Sequence, residues 1–292
     1  MHLDAATCAP LVPIRAADGH KGTFGTLVCV CGSLDYAGAA LLCGTAAARA
    51  GAGLVALAVP RSLQSVFAGR VPELVTLGLP VGGDPIDVDP IPAVRAIEAE
   101  AADALVVGCG LYEGGGNRNL VLGLLRSEGP PTVVDGGALN LLASAGEWWH
   151  DVRRGCVLTP HPGEFERLTG ARPGGSDVER QTSAAAAAER FGQVVVLKGA
   201  RTVVAAPDGR VAVAPFANAA LATAGSGDVL AGTIGALLAQ GVALFDAACL
   251  GVYLHGRAGE RISDRLGDSG LLASDLPYEI ALARRELVAG RG

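Results

Sequence analysis

Short apolar runs alternate with helix-like stretches along nearly the whole chain, and this alternation restricts the fold more than any other feature. Residues 26–30, 54–59, 104–108, 132–135, 157–159 and 194–198 read as buried strands. Residues 37–50, 90–101, 117–127, 138–145 and 177–191 read as helices between them, and 63–68 follows the second strand. Residues 202–206 and 210–214 look like a hairpin around Pro207-Asp208-Gly209. Helices over 228–239, 244–263 and 274–286 complete the pattern. Repeated strand–helix alternation implies an α/β fold, a mostly parallel sheet with helices on both faces. The late hairpin implies an antiparallel edge. The Gly/Pro/Asp-rich stretch 80–92 reads as a surface connection, so the 292 residues are expected to form a single domain.

Composition narrows the function classes. The formal net charge is −6, which argues against non-specific nucleic-acid binding. Seven cysteines show neither a Cys-x-x-Cys pair nor zinc-finger spacing, and most lie in apolar stretches. Buried free thiols in a reducing, cytoplasmic setting are the expectation. The mean hydropathy of +0.39 raises the question of a membrane span. The most apolar region, 229–254, is interrupted by Gln240, Gly241 and Asp246, and reads as two buried helices rather than one span. No signal peptide is visible, and a soluble protein is expected. Of 23 lysines and arginines only Lys21 and Lys198 are lysine, and both adjoin a glycine. A compact ammonium serves phosphate as a point charge in a way that a guanidinium fork does not.

The turns carry the chemistry. In parallel α/β sheets ligands bind beyond the carboxyl ends of the strands. Gly108-Cys109-Gly110-Leu111, Asp135-Gly136-Gly137, Pro160 to Glu164, Lys198-Gly199 and Gly225 to Asp228 should all fall on that one edge. The last of these, within Ala224-Gly225-Ser226-Gly227-Asp228, is the most specific. Two glycines let the backbone turn with its N–H groups exposed at a helix start, an anion site. Asp228 then lies in the first turn, where the helix dipole favours its ionised form. A carboxylate there is placed to take a proton from a hydroxyl beside a phosphate cradle.

The ordered set of motifs resembles the ribokinase-like NAD(P)H-hydrate dehydratases. The resemblance runs from His20-Lys21-Gly22-Thr23-Phe24-Gly25 through Gly38-Ala39-Ala40-Leu41-Leu42, the stretch Arg49 to Val55, and Pro72-Glu73. It continues through Gly108 to Leu111, Asp135 to Asn140, Leu158 to Glu164, Leu197 to Thr202, Asn218 to Asp228 and Tyr253 to Gly256. It implies a three-layer α/β/α sandwich. It also implies a hydro-lyase that repairs NADH or NADPH hydrated across a ring double bond, driven by ADP in the bacterial type and ATP in the eukaryotic type. Asp228 would be the catalytic base, and Gly225, Ser226 and Gly227 the anion hole. The hydrate would lie near Ala39, Gly110, His161 and Asp228, and the adenine nucleotide along Lys198, Gly199, Ala200, Arg201, Thr202 and at Gly227. Mg²⁺ would be held through water and phosphates, with no direct protein ligand.

Several positions keep two readings. His161 is either a ligand contact or a helix-start residue. Glu164 is an acidic first-turn residue or a water-mediated Mg²⁺ ligand. Asn218 is a ligand contact or a turn former, and Lys198 a phosphate ligand or a strand-end support. Three positions depart from the family's usual pattern: Ala224 for Gly, Cys109 for Pro, and Gly137 for Asp. Nothing before His20 is long enough for the epimerase domain of larger relatives, so the S epimer and a separate epimerase are the expectation. A homotetramer is also implied. The competing readings are a vitamin-precursor kinase, whose relatives carry Cys at the position of Asp228, and a non-catalytic nucleotide sensor.

Overall fold

The computed structural model describes residues 1–82 and 87–290, so part of the expected surface connection at 80–92 lies outside the described residues. Among the described residues nine strands form one sheet in the order β3-β2-β1-β4-β5-β6-β7-β8-β9. The strands are β1 (Thr26–Val30), β2 (Leu54–Pro60), β3 (Val75–Leu79), β4 (Ala104–Val107), β5 (Thr132–Val134), β6 (Cys156–Leu158), β7 (Val194–Leu197), β8 (Val203–Ala205) and β9 (Val211–Val213). Strands from β3 across to β7 pair in parallel, and β7-β8-β9 pair antiparallel. This is the parallel sheet with an antiparallel edge that the alternation implies.

Helices cover both faces. Besides the four-residue α1 (Ala5–Cys8) and α3 (Gln64–Phe67), they are α2 (Ala37–Ala50), α4 (Pro90–Glu98), α5 (Gly115–Arg126), α6 (Gly137–Ala143), α7 (Pro162–Thr169), α8 (Asp177–Phe191), α9 (Ser226–Ala239), α10 (Leu244–Leu266) and α11 (Leu276–Ala289). Strand side chains alternate between faces. Leu27 and Cys29 of β1 therefore pack with α2, α9, α10 and α11, while Val28 and Val30 pack with the layer of α4, α5, α6, α7 and α8. The three-layer sandwich follows from this division. The interrupted apolar region is two helices, α9 and α10, joined by a turn that includes Gly241. Among the described residues no helix is long and apolar enough to cross a membrane.

Besides the four-residue α1, two elements have no place in the strand–helix pattern read from the sequence. β3 is an edge strand with half-buried positions and Gly78 inside it, so it lacks an apolar run. α7 begins with Pro162-Gly163, which resembles a turn; it forms because proline is tolerated at the first helical position and His161 caps the helix.

Strand order reverses at β1, which has β2 on one side and β4 on the other. Such a switch point opens a crevice at the carboxyl ends of the strands. The loops after β4, β5, β6 and β7 all end on that edge, and the start of α9 faces them.

Candidate active site

The start of α9 is built around Gly225. Its φ of +88° is left-handed, and a Cβ there would lie 2.5 Å from Leu42 Cδ1, so the position demands glycine. Ala224 precedes it without a positive φ and with its side chain exposed, so its methyl group meets no strain. Ser226 N–H is used by the carbonyl of Thr223 at 3.3 Å, and Val229 N–H by that of Gly225 at 3.2 Å. Among the described residues the N–H groups of Gly225, Gly227 and Asp228 have no backbone acceptor. The open donors therefore include Asp228 in place of Ser226, a shift of the expected anion hole by one group. Ser226 has a different partner. Nε2 of His255 on α10 lies 3.1 Å from its hydroxyl and 3.0 Å from its carbonyl oxygen. Burial pushes the His255 imidazole down to about 4, so it is neutral at physiological pH.

A charged cluster faces this loop. Lys198 Nζ donates to Asp135 Oδ1 at 2.7 Å and lies 3.7 Å from Glu164 Oε2. Asp135, at the end of β5, also accepts from the Thr159 hydroxyl at 2.7 Å. Burial alone would lower the Lys198 pKa, but the Asp135 and Glu164 carboxylates outweigh it and hold it above the ordinary value. Lys198 backbone is fixed from α8, where Arg180 donates to the carbonyls of Leu197 and Lys198. A Cβ on Gly227 would lie 3.2 Å from Lys198 Nζ, so glycine lets the loop approach the ammonium.

Asp228 does not behave as its helix position implies. Its pKa is pushed up to about 7, first by burial and then by the neighbouring Asp135 carboxylate. Lys198 and the Cys109 thiol oppose the shift and lose. The dipole is a surface-scale effect; desolvation beside a second carboxylate is larger. A carboxylate poised near neutrality suits a general base.

His161 and Glu164 cap α7 reciprocally. Gly163 N–H donates to His161 Nδ1 at 3.0 Å, and His161 N–H donates to Glu164 Oε2 at 2.8 Å. The helix-start reading of both residues is thus realised, while both still line the cleft. Burial, then Lys198, lowers the His161 pKa, and burial raises that of Glu164. Asn218 caps Ala220 N–H at 3.0 Å and exchanges hydrogen bonds with Ser263, so its amide is engaged as a turn former.

These residues enclose a cavity of about 730 Å³. Lys198, Gly199, Ala200, Thr202, Gly225, Ser226, Gly227 and Asp228 line it together. Arg201 does not: its guanidinium turns to Asp177 on α8 at 2.5 Å. Ala39 and Gly110 also stand outside the lining and adjoin each other, since a Cβ on Gly110 would lie 2.7 Å from that of Ala39. They form a flank between α2 and the turn after β4. Asp135, Thr159 and His255 lie in stretches that the motif reading included but are site members to which it gave no role. The signal for Asp135 was its place at a strand end before two glycines.

Comparison with known proteins places the chain in a family. The family model described as NAD(P)H-hydrate dehydratase matches residues 27–281. An ADP-dependent (S)-NAD(P)H-hydrate dehydratase of Neisseria meningitidis is 40% identical over 94% of this chain and 88% of its own length. A bifunctional NAD(P)H-hydrate repair enzyme of Moorella thermoacetica is 42% identical over 98% of this chain, which spans about half of that relative, 54%. The crystal structure of the ADP/ATP-dependent NAD(P)H-hydrate dehydratase of Bacillus subtilis, co-crystallised with ATP and Mg²⁺, superposes with a TM-score of 0.83 at 30% identity, over 97% of each chain. The sandwich is accordingly of the ribokinase-like kind, and the chain belongs to the NAD(P)H-hydrate dehydratase family.

Proposed function

We propose that this protein dehydrates the S epimer of NADH or NADPH hydrate, using ADP as phosphoryl donor and releasing NAD(P)H, AMP and phosphate. The observation that carries the proposal is Asp228, a half-buried carboxyl with its pKa pushed up to about 7, beside open N–H donors at the start of α9. Hydroxide is a poor leaving group, so the ring hydroxyl must first be made a better one. Asp228 takes the hydroxyl proton as the oxygen attacks the terminal phosphorus of ADP, and the bond to AMP breaks. The N–H groups of Gly225 and Gly227, with Lys198 opposite, hold the charge on the transferring group. The ring nitrogen then expels phosphate, and loss of a proton from the adjacent carbon restores the double bond.

The nucleotide is assigned to Lys198, Gly199, Ala200, Thr202 and Gly227, with Arg201 excluded by its ion pair to Asp177 unless that pair opens. The hydrate is assigned to the Ala39–Gly110 flank, His161 and Asp228. Both Glu164 oxygens already face His161, one at its N–H and one 3.5 Å from Nε2. That engagement fits a Mg²⁺ held by water and phosphates, with Glu164 in its outer sphere. When bound, the ion would neutralise phosphate charge. The relatives' names support the substrate and the nucleotide, and the bifunctional relatives support a separate epimerase as supplier of the S epimer. The working form is assigned as a cytoplasmic homotetramer.

A vitamin-precursor kinase is not favoured, because the loop carries Asp228 and the matched family is the dehydratase. Recovery of the near-ultraviolet absorbance of reduced nicotinamide from NADH hydrate and Mg²⁺ tests the proposal. Recovery with ADP, and none without nucleotide, is expected. Recovery with ATP alone would overturn the donor assignment, and none with either would overturn the activity.

A further inference from the structure

Four of the seven cysteines gather behind the loop that carries Asp228. Cys29 and Cys31 are two residues apart along β1 and its end, so both face α2 and α9. Cys43 of α2 packs onto them, with its Sγ 3.8 Å from that of Cys29. β4 lies beside β1, and the turn that follows it supplies Cys109. The turn is pinned, because a Cβ on Gly108 would lie 1.9 Å from the Asp135 carbonyl oxygen. The sulfurs of Cys31, Cys43 and Cys109 lie within 4.8 Å of one another, and all three residues are fully buried. Cys109 belongs to a second triad as well, with the carboxylates of Asp135 and Asp228, again within 4.8 Å. Its Sγ is 3.7 Å from Asp135 Oδ2.

Thiols are weak hydrogen-bonding groups, and packing alone gives no reason to collect them at one point. Three sulfurs within 4.8 Å of one another are close enough to converge on one soft ion with metal–sulfur bonds of about 2.3 Å. The second triad adds a way in. Oxygen donors at the cleft meet a hydrated cation first, and Cys109 connects them to the sulfurs behind. Burial and mutual contacts hold these thiols protonated, well above their ordinary pKa, so a bound ion must displace their protons and its affinity rises with pH.

We propose that Cys31, Cys43 and Cys109 form a site for a thiophilic d¹⁰ cation, entered past Asp135 and Asp228, and that filling it stops turnover. Three S–H bonds break and three metal–sulfur bonds form, with the protons released to solvent and no change of oxidation state. The ion removes the Cys109 S–H as a donor to the carboxylates and fixes charge directly behind Asp228. The inhibitory consequence rests on the proposed role of Asp228; the binding does not.

Cadmium is the probe, added to the reduced full-length protein. One tightly held equivalent with the ultraviolet charge-transfer band of thiolate-bound cadmium is expected. Cys43→Ala and Cys31→Ala, each checked for native circular dichroism, should weaken that binding more than about tenfold, since each loses one of three ligands. Cys156→Ala, on the opposite face of the sheet, should bind as the unaltered protein does. Cys43→Ala should keep metal-free turnover and lose its sensitivity to cadmium. Absence of the band, or an undiminished band in both variants, would overturn the site. A full band with undisturbed turnover would overturn the inhibition.

Discussion

Two ionic networks in this molecule are built from the same kinds of group and reach opposite ends. Between α10 and α11, Arg257, Arg261 and Arg265 meet Glu260, Glu279 and Glu286 in equal numbers. Glu279 accepts from Arg261 at 2.7 Å and from Arg265 at 2.6 Å, and Arg261 also holds Glu286. Burial would raise the Glu279 pKa, but the two guanidinium groups win and lower it. In the cleft, one ammonium, Lys198, faces Asp135, Glu164 and Asp228. There the carboxyl pKa values of Glu164 and Asp228 go up. A balanced network staples two helices. An unbalanced one leaves a carboxyl short of a counter-charge, and burial together with that shortage makes Asp228 a base near neutrality.

Substitutions can break this contrast, in order of expected effect on folding stability. Glu279→Ala should remove about 2–3 kcal/mol, a buried-pair loss reduced by the partial exposure of its arginines. Chemical denaturation should show it, with turnover per folded molecule unchanged. An undiminished midpoint would mean that the network is ornamental. Lys198→Met should remove about 2 kcal/mol at neutral pH, because it leaves Asp135 and Glu164 without their cation. That loss should shrink as acid protonates the carboxylates, and nucleotide affinity should fall at every pH. A loss independent of pH would place Lys198 in packing rather than charge compensation.

Asp228→Asn should stabilise the protein by about 1 kcal/mol above pH 7, after allowance for solvent access. The folded pKa of about 7 exceeds the ordinary 3.8, so the native state binds this proton more tightly than the unfolded chain. The destabilisation is absent below the unfolded value, grows as pH rises, and is complete above about 7. His255 has the opposite sign. Its folded pKa of about 4 lies below the ordinary 6.5, so its contribution is full above 6.5 and lost as pH falls toward 4. Denaturation midpoints of Asp228→Asn across this window should therefore fall with acid more steeply than those of the unaltered protein. Parallel curves would contradict the raised Asp228 value; the His255 contribution is common to both proteins. The smallest effect belongs to Arg210→Ala, whose pair with Asp208 is exposed on the β8–β9 turn. A change of more than about 1 kcal/mol there would show that exposed pairs matter more than the comparison allows.

The sequence carries the strand ends better than the charge states. Short apolar runs located β1, β2, β4, β5, β6 and β7, because burial on both faces leaves that pattern in the residues themselves. β3 has no such signature, since an edge position spares it full burial. Asp228 was legible as a first-turn carboxylate, but its protonation was not. Its main charged neighbour, Asp135, lies 93 positions away and meets it only through the sheet. The cysteine cluster was hidden for the same reason. Spacing shows no motif among Cys31, Cys43 and Cys109, and only the adjacency of β1 and β4 beneath α2 assembles them. Arg201 follows Lys198-Gly199-Ala200 in the motif, but its left-handed φ of +53° and its pair with Asp177 on α8 are visible only in the fold.

The most direct test of Asp228 compares turnover with nucleotide affinity in Asp228→Asn. Asparagine keeps the shape and the open N–H donors but cannot take the hydroxyl proton. Turnover of NADH hydrate with ADP and Mg²⁺ should fall by about 10²–10⁴, the range for a lost general base, while ADP binding by calorimetry stays within about threefold of the unaltered protein. Turnover that survives the substitution would contradict the assignment of Asp228 as the base, and with it the chemical reading of the cleft.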